Sequence, residues 1–262
     1  MSKPARLDAE LVRRGLFRSR SEAKRSIDAG RVLVKGLPAD RAATLVTPSD
    51  PISLAEEAPR FVSRGGEKLD GALARLQVKV EGRRWLDAGA STGGFTDRLL
   101  QGGAAAVAAV DVGYGQLDWK LRNDPRVVVI ERTNIRFLRR GDLPFAPDGV
   151  TADLSFISLT VVLPALAAVA GDGCDHVLMV KPQFEVGREA VGRGGVVRDP
   201  DLWRAAVEKV VMEARELGLG LVGVAPSLLP GPAGNREFFV HLRAGREPDP
   251  DAIDRAIAEV SA

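Results

Sequence analysis

Short apolar runs alternate with longer segments of helical spacing from residue 85 to the end of the chain. The clearest helical segment, residues 202–217, carries apolar side chains at positions 203, 207, 210, 214 and 217 and is followed by Gly218. This alternation is typical of an α/β domain with a mainly parallel sheet and helices on both faces. The seven runs that predict its strands lie at 85–87, 107–112, 127–131, 150–154, 177–181, 221–227 and 237–242.

The beginning of the chain has a different pattern, with two helices followed by short β segments. Residues 6–15 predict the first helix. Ser19 and Glu22 have the spacing of a capping box that opens a second helix towards Ala29, and Gly30 is a natural stop after it. A strand at 32–34 follows. The pattern therefore predicts a small α+β domain in front of the α/β domain.

The net charge of +2 hides an uneven distribution along the chain. Residues 1–64 hold 13 basic and 8 acidic side chains, a net charge of +5, and the remainder holds 24 and 27, a net charge of −3. Such a difference favours a basic binding module attached to a different kind of domain. We expect a first domain at 1–59, a linker at 60–64 and a larger domain at 65–262.

Composition excludes several classes of protein. The single cysteine, Cys174, cannot form an internal disulfide, and it and the two widely spaced histidines do not suggest a metal site. The N-terminus has no apolar stretch of the kind found in secretory signals, and no apolar run is long enough to span a bilayer. We expect a cytoplasmic protein that holds no metal and does not act on membranes.

A glycine-rich loop follows the first strand of the α/β domain. Its spacing, Gly89 and then Gly93-Gly94, differs from the dinucleotide fingerprint, and Asp87 before it would repel a pyrophosphate but suit a cationic ligand. Asp111 ends the second strand, where a carboxylate can bind two ribose hydroxyls. These features predict a site for S-adenosylmethionine (SAM). The alternatives are a plain tight turn at the glycines, a helix cap at Asp111, or a NAD-type cofactor.

Four charged residues stand near the ends of predicted elements: Lys68, Asp153, Lys181 and Glu237. A lysine at the carboxyl end of a buried strand, as at position 181, is unusual because burying an unpaired charge is costly. In open α/β sheets that end of the strands is where ligands bind. Each residue alone also has an ordinary explanation, as a surface lysine, a loop cap or a charge at a strand edge.

Basic residues dominate the predicted helix pair of the first domain. Some lie four positions apart, as do Arg14 and Arg18, so like charges share a face, and a bound polyanion would relieve their repulsion. A solvated charged face is the alternative. The sequence at 6–8, 15–16, 19–25 and 30–36 resembles the S4 RNA-binding domain. The RNA-binding residues predicted on this basis are Arg6, Arg14, Arg18, Arg20, Lys24, Arg25 and Arg31.

From residue 65 onward the chain is similar to the FtsJ/RrmJ-like ribose 2′-O-methyltransferases, whose signature is a Lys-Asp-Lys-Glu tetrad. With the S4-like domain in front, the whole chain resembles the TlyA (haemolysin A) family of rRNA methyltransferases. The stretches that carry the resemblance are 63–69, 87–97, 111–117, 153–159, 180–185 and 194–197. The resemblance implies a Rossmann-like class I SAM-dependent methyltransferase fold. It maps the catalytic tetrad onto Lys68, Asp153, Lys181 and Glu237.

The resemblance also implies a cofactor, a substrate and partners. SAM would be the cofactor, and a cytidine 2′-hydroxyl in 16S rRNA, in some members also in 23S rRNA, would be methylated. Ribosomal RNA or ribosomal subunits, and not DNA, would be the partners of a monomeric enzyme. The expected cofactor-binding residues are Asp87, Gly89, Ser91, Thr92, Gly93, Gly94, Phe95, Asp111 and Asn134.

Lys181 is the residue expected to help remove the proton of the ribose hydroxyl, which is a weak acid. A neutral Lys181 would accept the proton, and a charged Lys181 would stabilise the forming alkoxide; the sequence leaves both open. Three other functions are alternatives: methylation of tRNA or another structured RNA, a membrane-acting haemolysin, and an inactive RNA-binding protein. The complete tetrad argues against the last of these.

Overall fold

The computed structural model describes residues 4–28, 30–55, 59–192, 194–246, 249 and 251–261. The chain divides into two compact units, of which the first ends at Arg64 and the second begins at Gly65. Each unit has its own buried apolar core. The two are described separately.

The first unit packs two helices against short strands. Its helices are α1 (Leu7–Arg13) and α2 (Arg20–Asp28), and its strands are β1 (Ala5–Arg6), β2 (Val32–Val34), β3 (Leu37–Pro38), β4 (Leu45–Val46) and β5 (Ile52–Leu54). Strand β1 pairs with β4, and β2 pairs with β3 and β5, all antiparallel. The predicted helix pair and the strand at 32–34 are therefore confirmed.

The start of α2 differs in one detail from the predicted capping box. The Ser19 hydroxyl accepts from the Glu22 N–H (3.2 Å), as expected of an N-cap. In a capping box, the Glu22 carboxylate would accept from the N–H of the N-cap residue, Ser19. Here it accepts instead from the N–H of Arg18, the residue before Ser19 (2.9 Å). The helix ends at Asp28; Ala29, where the sequence predicted its end, lies outside the described residues. Gly30 has a φ of 67°, the left-handed conformation of a helix stop.

The second unit is built on a sheet in which the described residues form seven strands. They are β6 (Arg84–Ala88), β7 (Ala106–Val110), β8 (Val127–Ile130), β9 (Gly149–Ala152), β10 (Asp175–Val180), β11 (Leu219–Pro226) and β12 (Phe238–Ala244). Their order across the sheet is β11-β12-β10-β9-β6-β7-β8. All neighbours pair in parallel except β12, which runs antiparallel to β10 and β11. The predicted mostly parallel seven-stranded α/β fold is confirmed.

The helices of this unit lie before, between and after the strands. They are α3 (Arg64–Arg75), α4 (Gly94–Gln101), α5 (Trp119–Arg122), α6 (Leu159–Val169), α7 (Pro182–Glu185), α8 (Pro200–Glu216) and α9 (Ala252–Ser261), with short 3₁₀ turns at Ile135–Phe137, Arg140–Asp142 and Arg188–Ala190. Helix α3 begins earlier than the predicted 68–76, so Gly65 and Gly66 lie inside it. Gly66 is buried there. None of the described helices is long and apolar enough to cross a membrane.

The order of strands reverses at β6. This strand comes first in sequence but lies inside the sheet, with β7 on one side and β9 on the other. The loops that leave β6 and β9 lie side by side, since the N–H of Asp153 donates to the Ala88 carbonyl (3.1 Å). In open α/β sheets, the crevice outside the carboxyl ends of the strands at such a reversal is where ligands bind. The fold therefore places the glycine loop and Asp153 at the expected position of a site.

Candidate active site

A cavity of about 620 Å³ opens at the carboxyl ends of β6, β7 and β9. Its walls come from the glycine loop, from the end of β7 with the segment after β8, and from residues 153–157 after β9. Five of the predicted site residues line it: Gly89, Ser91, Asp111, Asn134 and Asp153. The structure thus brings together, at one place, residues that the sequence assigned separately to the cofactor and to the reaction.

The glycine loop needs two of its glycines for its shape. Gly89 has a φ of 86°, and a Cβ added to it would lie 2.7 Å from the Asp153 carbonyl oxygen. Gly93 has a φ of 98°, and a Cβ there would collide with the side chain of Leu121. These positions satisfy the tight-turn interpretation, and Gly89 also lets its loop lie directly beside the 153–157 segment.

Asp111 and Asn134 present oxygen atoms at the cavity. The Asp111 carboxylate accepts from the N–H groups of Ser91 (2.8 Å) and Gly113 (2.6 Å), so its position is fixed by the glycine loop and by its own loop. A carboxylate oxygen accepts more than one hydrogen bond, which leaves Asp111 capacity for a ligand diol. The Asn134 side-chain oxygen accepts from the Arg136 N–H (3.1 Å). This set of acceptor oxygens fits a polar ligand with a ribose, whose hydroxyls can donate to them.

Asp87 lies beneath the glycine loop and is not among the cavity-lining residues that the structure describes. It is completely buried, and its Oδ2 accepts from the Thr96 hydroxyl (2.6 Å), whereas its Oδ1 has no partner within the described part of the chain. Burial raises the pKa of this carboxyl to about 7. In this arrangement, the Asp87 carboxylate therefore does not face the cavity, where the sequence predicted its contact with a cationic ligand.

The remaining glycine-loop residues contribute no side chain to the cavity. Phe95 is buried against Phe239, with ring centroids 6.0 Å apart, because it begins the face of α4 that packs on the sheet. The Thr92 carbonyl accepts from the Asp118 N–H (3.1 Å). Gly94 and Phe95 belong to the first turn of α4, whose N–H groups lack partners within the helix, so only their backbone is suited to a ligand.

The four residues of the tetrad form two ion pairs. Lys68 Nζ lies 2.5 Å from Glu237 Oε2, and both side chains are buried. Lys181 Nζ lies 2.5 Å from Asp153 Oδ1. Each buried ammonium group therefore has a compensating carboxylate, without which its burial would be strongly unfavourable.

The sheet order explains how residues so far apart in sequence meet. Val180 pairs with Phe238 across β10 and β12, so Lys181 and Glu237, the next residue out on each strand, lie at the same end of adjacent strands. Asp153 follows β9, the other neighbour of β10. Lys68 reaches Glu237 from α3.

Three further residues belong to this region although the sequence did not single them out. The Ser155 hydroxyl accepts a hydrogen bond from Lys181 Nζ (3.1 Å) and lines the cavity. Phe156 lines it too, and its side chain is 92% exposed. Asn235 is buried close to Glu237 in sequence. The available signal for Ser155 was its position two residues after Asp153. For Phe156 there was no such signal, since no sequence pattern distinguishes an exposed phenylalanine from a buried one.

In the first unit, two buried carboxylates lie among the predicted RNA-binding arginines. Asp8 accepts from Arg6 (3.1 Å) and Arg20 (2.8 Å), and the Arg6 hydrogen bond, followed by that of Arg20, lowers its pKa to about 2 despite burial. Glu10 binds Arg13 and Arg14 at 2.6 and 2.8 Å, and those hydrogen bonds, Arg13 first, lower its pKa to about 2.

Arg14 has a structural role that the sequence interpretation missed. Besides Glu10, its guanidinium donates to the carbonyl oxygens of Thr47, Pro48 and Asp50 at 2.9 to 3.1 Å, and its side chain is mostly buried. Five donors in a planar fork suit this kind of multiple contact. Arg14 therefore joins α1 to the β4–β5 loop, and its predicted RNA contact would require these bonds to break.

The other predicted RNA-binding residues are exposed and differ in their partners. Lys24 pairs with Asp28 (2.6 Å), and Arg31 donates to the Ser26 hydroxyl (3.1 Å). For Arg18 and Arg25, no carboxylate partner is found among the residues that the structure describes. These two cations are the most available to an external anion.

Comparison with protein families agrees with this geometry. Residues 61–244 match the FtsJ-like methyltransferase family, and residues 5–52 match the S4 domain. The chain belongs to the FtsJ-like methyltransferase family. The predicted enzyme class and the S4 module are thereby confirmed, and the fold is that of SAM-dependent methyltransferases.

Relatives of this methyltransferase cover its whole length. A Mycobacterium tuberculosis protein named 16S/23S rRNA (cytidine-2'-O)-methyltransferase TlyA is 54% identical over 99% of both chains. Hemolysin A of Brachyspira hyodysenteriae is 38% identical over 90% of this chain and 99% of its own. A solved structure from Streptococcus thermophilus, also named as a hemolysin, is 40% identical, with a TM-score of 0.78 and coverage of 100% of this chain and 97% of its own. The predicted TlyA-type family is confirmed.

Proposed function

We propose that this methyltransferase transfers a methyl group from SAM to the 2′-hydroxyl of a cytidine in ribosomal RNA, 16S and in addition 23S. The observation that carries the proposal is the Lys181–Asp153 ion pair, whose carboxylate lines the same cavity as Asp111. The name of the 54%-identical M. tuberculosis relative supports the nucleotide and the RNA.

The cavity residues fit SAM. Asp111 has the position and remaining acceptor capacity to hold the ribose diol, and Asn134 would lie near the adenine. When bound, SAM supplies a methyl group activated by a sulfonium. The Asp153 carboxylate lines the cavity, and its negative charge favours a cationic group there.

Lys181 is the residue that assists the ribose hydroxyl. Its amine accepts the proton when neutral and stabilises the forming alkoxide when charged. Asp153 holds the amine in place. Alignment of the hydroxyl with the methyl group lowers the activation barrier further. Correct positioning alone can lower the barrier by roughly 7–11 kcal/mol at its upper limit.

The Lys68–Glu237 pair acts at one remove from the cavity. Both side chains are buried and neither is a cavity-lining residue among those described. The pair fixes Glu237, the residue directly before β12, which lies beside Lys181. It also places one positive and one negative charge near Lys181. We infer that this pair keeps the end of β12 in register with the end of β10.

Exposed aromatic rings next to arginines support RNA as the substrate. The Arg132 guanidinium lies 4.3 Å from the Tyr114 ring centroid, and that of Arg136 lies 5.3 Å from the Phe137 ring. Both rings are about two-thirds exposed, and Phe156 is more exposed still. Unpaired bases stack on such rings, and arginines beside them attract phosphates.

The first unit supplies the second part of the RNA interaction. Its match to the S4 domain and its exposed Arg18 and Arg25 support binding of structured RNA. We infer that residues 1–59 form this module, that 60–64 link it to the methyltransferase domain at 65–262, and that the enzyme acts as a cytoplasmic monomer on ribosomal subunits.

The test is methylation of defined RNAs by the full chain with labelled SAM. Small subunits, large subunits, whole ribosomes and tRNA are incubated separately, and the modified nucleotide is located by mass spectrometry. We expect label on the ribose of a cytidine in rRNA. Label on a base, or on tRNA in preference to rRNA, would contradict the proposal.

The Lys181→Ala variant tests the chemistry in the same assay. We expect its turnover to fall by roughly a hundred-fold or more, in the range that acid–base groups contribute, with SAM binding by calorimetry little changed. Lys79→Ala is the matched control, since Lys79 is an exposed lysine of the same unit that follows α3. Full turnover in the Lys181 variant would refute its assignment.

A further inference from the structure

The amine of Lys181 has two described acceptors. Asp153 Oδ1 lies 2.5 Å from Nζ and the Ser155 hydroxyl oxygen lies 3.1 Å from it. The Lys181 side chain is only about 10% exposed. Because the groups around an amine nitrogen point to the corners of a tetrahedron, two fixed acceptors also fix where the remaining positions point.

Asp153 alone does not fix the orientation of the Lys181 amine. A single ion pair fixes the distance of the ammonium but leaves it free to rotate about the Cε–Nζ bond. A second acceptor removes that freedom. Ser155 supplies it from two residues further along the same segment, on the side where the segment lines the cavity.

The segment that carries Ser155 is held in place by contacts other than the one to Lys181. At one end, the Asp153 N–H donates to the Ala88 carbonyl (3.1 Å). At the other, Glu185 accepts from the Ser158 hydroxyl (2.5 Å) and from the Leu159 N–H (2.7 Å) at the start of α6. The segment is therefore tied at both ends.

The middle of the segment is tied as well. The Phe156 ring lies 5.3 Å from the Phe184 ring, centroid to centroid. Phe184 and Glu185 belong to α7, which begins directly after Lys181. The element that follows the lysine thus anchors the segment that carries both of its acceptors, so lysine and serine are placed by the same local structure.

We propose that Ser155 is a positioning residue for methyl transfer, which orients the Lys181 amine so that its remaining position faces the ribose 2′-hydroxyl. This inference rests on the proposed function and adds a residue to it. The alternatives are that Ser155 only stabilises the loop or only contacts the cofactor. Each alternative predicts a different measurement.

The test compares Ser155→Ala, Ser155→Thr and Ser158→Ala in the full chain. Ser158→Ala is the matched control, because it removes a hydroxyl from the same segment whose described bonds go to Thr160 and Glu185 and none to Lys181. The measurements are turnover at saturating RNA, the SAM dissociation constant by calorimetry, and the melting temperature.

We expect Ser155→Ala to lower turnover by about ten-fold or more, as the loss of a hydrogen bond to a charged group would. SAM affinity, the KM for RNA and the melting temperature should stay within about two-fold or two degrees of wild type. Ser155→Thr keeps the hydroxyl and should restore most of the turnover. Ser158→Ala should lower the melting temperature and keep most of the turnover, because the Leu159 N–H still ties the segment to Glu185 (2.7 Å).

A double variant separates orientation of Lys181 from any independent role. If Ser155 acts through the lysine, adding Ser155→Ala to Lys181→Ala leaves the residual rate unchanged, since coupled residues are strongly non-additive. A further loss in the double variant would overturn the inference. So would wild-type turnover in Ser155→Ala, a loss of SAM affinity as its main effect, or an equal loss of turnover in Ser158→Ala.

The same assay distinguishes this inference from the proposed function. No transfer by the wild-type chain to any rRNA ribose overturns both. Transfer by the wild type that depends on Lys181 but not on Ser155 overturns the inference alone.

Discussion

Individual carboxylates of this chain differ in pKa because of what surrounds each of them. Asp8 and Glu10 are buried, yet arginine hydrogen bonds hold the pKa of each at about 2. Asp87 is buried with a hydroxyl as its described side-chain partner, and desolvation raises its pKa to about 7. Of these three buried acids, the two that lie against arginines have a lowered pKa, and the one without a described cation has a raised pKa.

The raised pKa of Asp87 gives the first prediction at this scale. An unfolded aspartate ionises near pH 3.9, whereas in the folded chain its pKa is about 7. Between these values the folded state binds more protons, so Asp87 lowers the free energy of unfolding as the pH rises, and its effect is constant above pH 7. Asp87→Asn removes this loss of stability. The free energy of unfolding of the variant, relative to that of wild type, should therefore increase from pH 5 to pH 8.

Urea unfolding of both proteins at pH 5 and pH 8 measures that difference. At about 1.4 kcal/mol for each pKa unit, the gain is at most about 3 kcal/mol over this interval. The exposed Asp201 of α8 provides a control, since Asp201→Asn should shift stability equally at both pH values. An Asp87→Asn effect that does not change with pH would contradict the prediction.

Sequence could name the charged residues of the site but not their partners. Lys181 and Glu237 stand at strand ends, so their place at the carboxyl edge of the sheet followed from the apolar runs beside them. Which lysine meets which carboxylate depends on β12 lying next to β10, a neighbour relation that no local pattern encodes. The structural role of Arg14 was missed for the same reason, since its partners lie on the β4–β5 loop, more than 30 residues away.

At the scale of elements, the turn before β12 is joined to the segment after α7 by one side chain. Asn235 is 2% exposed; its Nδ2 donates to the Gly195 carbonyl (2.9 Å), and its Oδ1 accepts from the Val197 N–H (2.9 Å). The turn itself has little room, since a Cβ on Gly231 would lie 2.7 Å from Glu237 Oε1. Asn235 therefore fixes two segments on which the position of Glu237 depends.

Asn235→Ala should consequently destabilise the chain. It removes two hydrogen bonds and leaves the buried Val197 N–H without a partner, whereas the exposed Gly195 carbonyl can bond water, so the cost is about 1–3 kcal/mol. Thermal or urea unfolding measures the change. Asn123→Ala is the control: Asn123 is exposed and donates to the Trp119 carbonyl, so its loss should change stability by about 0.5 kcal/mol or less. Equal effects of the two variants would show that Asn235 does not join the segments.

Elements were predicted well where one local signal determines them. All seven strands of the large sheet follow short apolar runs, because strands covered on both faces are apolar along their length. The start of α3 was missed because Gly65-Gly66 has low helix propensity. Tertiary packing overrides that propensity, since Gly66 is buried in the helix.

At the scale of the whole molecule, the 13 basic side chains among the first 64 residues overstate the cations that are available to RNA. Asp8 and Glu10 bind Arg6, Arg20, Arg13 and Arg14, so much of the positive charge is neutralised inside this unit. Arg18 and Arg25 have no such described partner. We expect these two residues to contribute more to RNA affinity than the paired Arg20 and Lys24.

Replacement of Arg18 and Arg25 together by alanine should weaken rRNA binding and flatten its salt dependence. Each lost phosphate contact reduces the slope of log affinity against log salt by about 1. Filter binding at several salt concentrations measures the slope. Arg20→Ala with Lys24→Ala is the matched comparison, and a larger change of slope in that pair would contradict the prediction.

The Lys68–Glu237 pair joins residues 169 positions apart in sequence, and this separation governs the order in which the chain can fold during synthesis. Lys68 leaves the ribosome early, but its carboxylate partner appears only just before β12. Strand β12 also fills the place between β10 and β11. Until it is made, the nascent chain carries a lysine without its partner and an open sheet edge at β10, both of which favour aggregation or chaperone binding. Folding of this domain is therefore completed only after almost the whole chain has been translated.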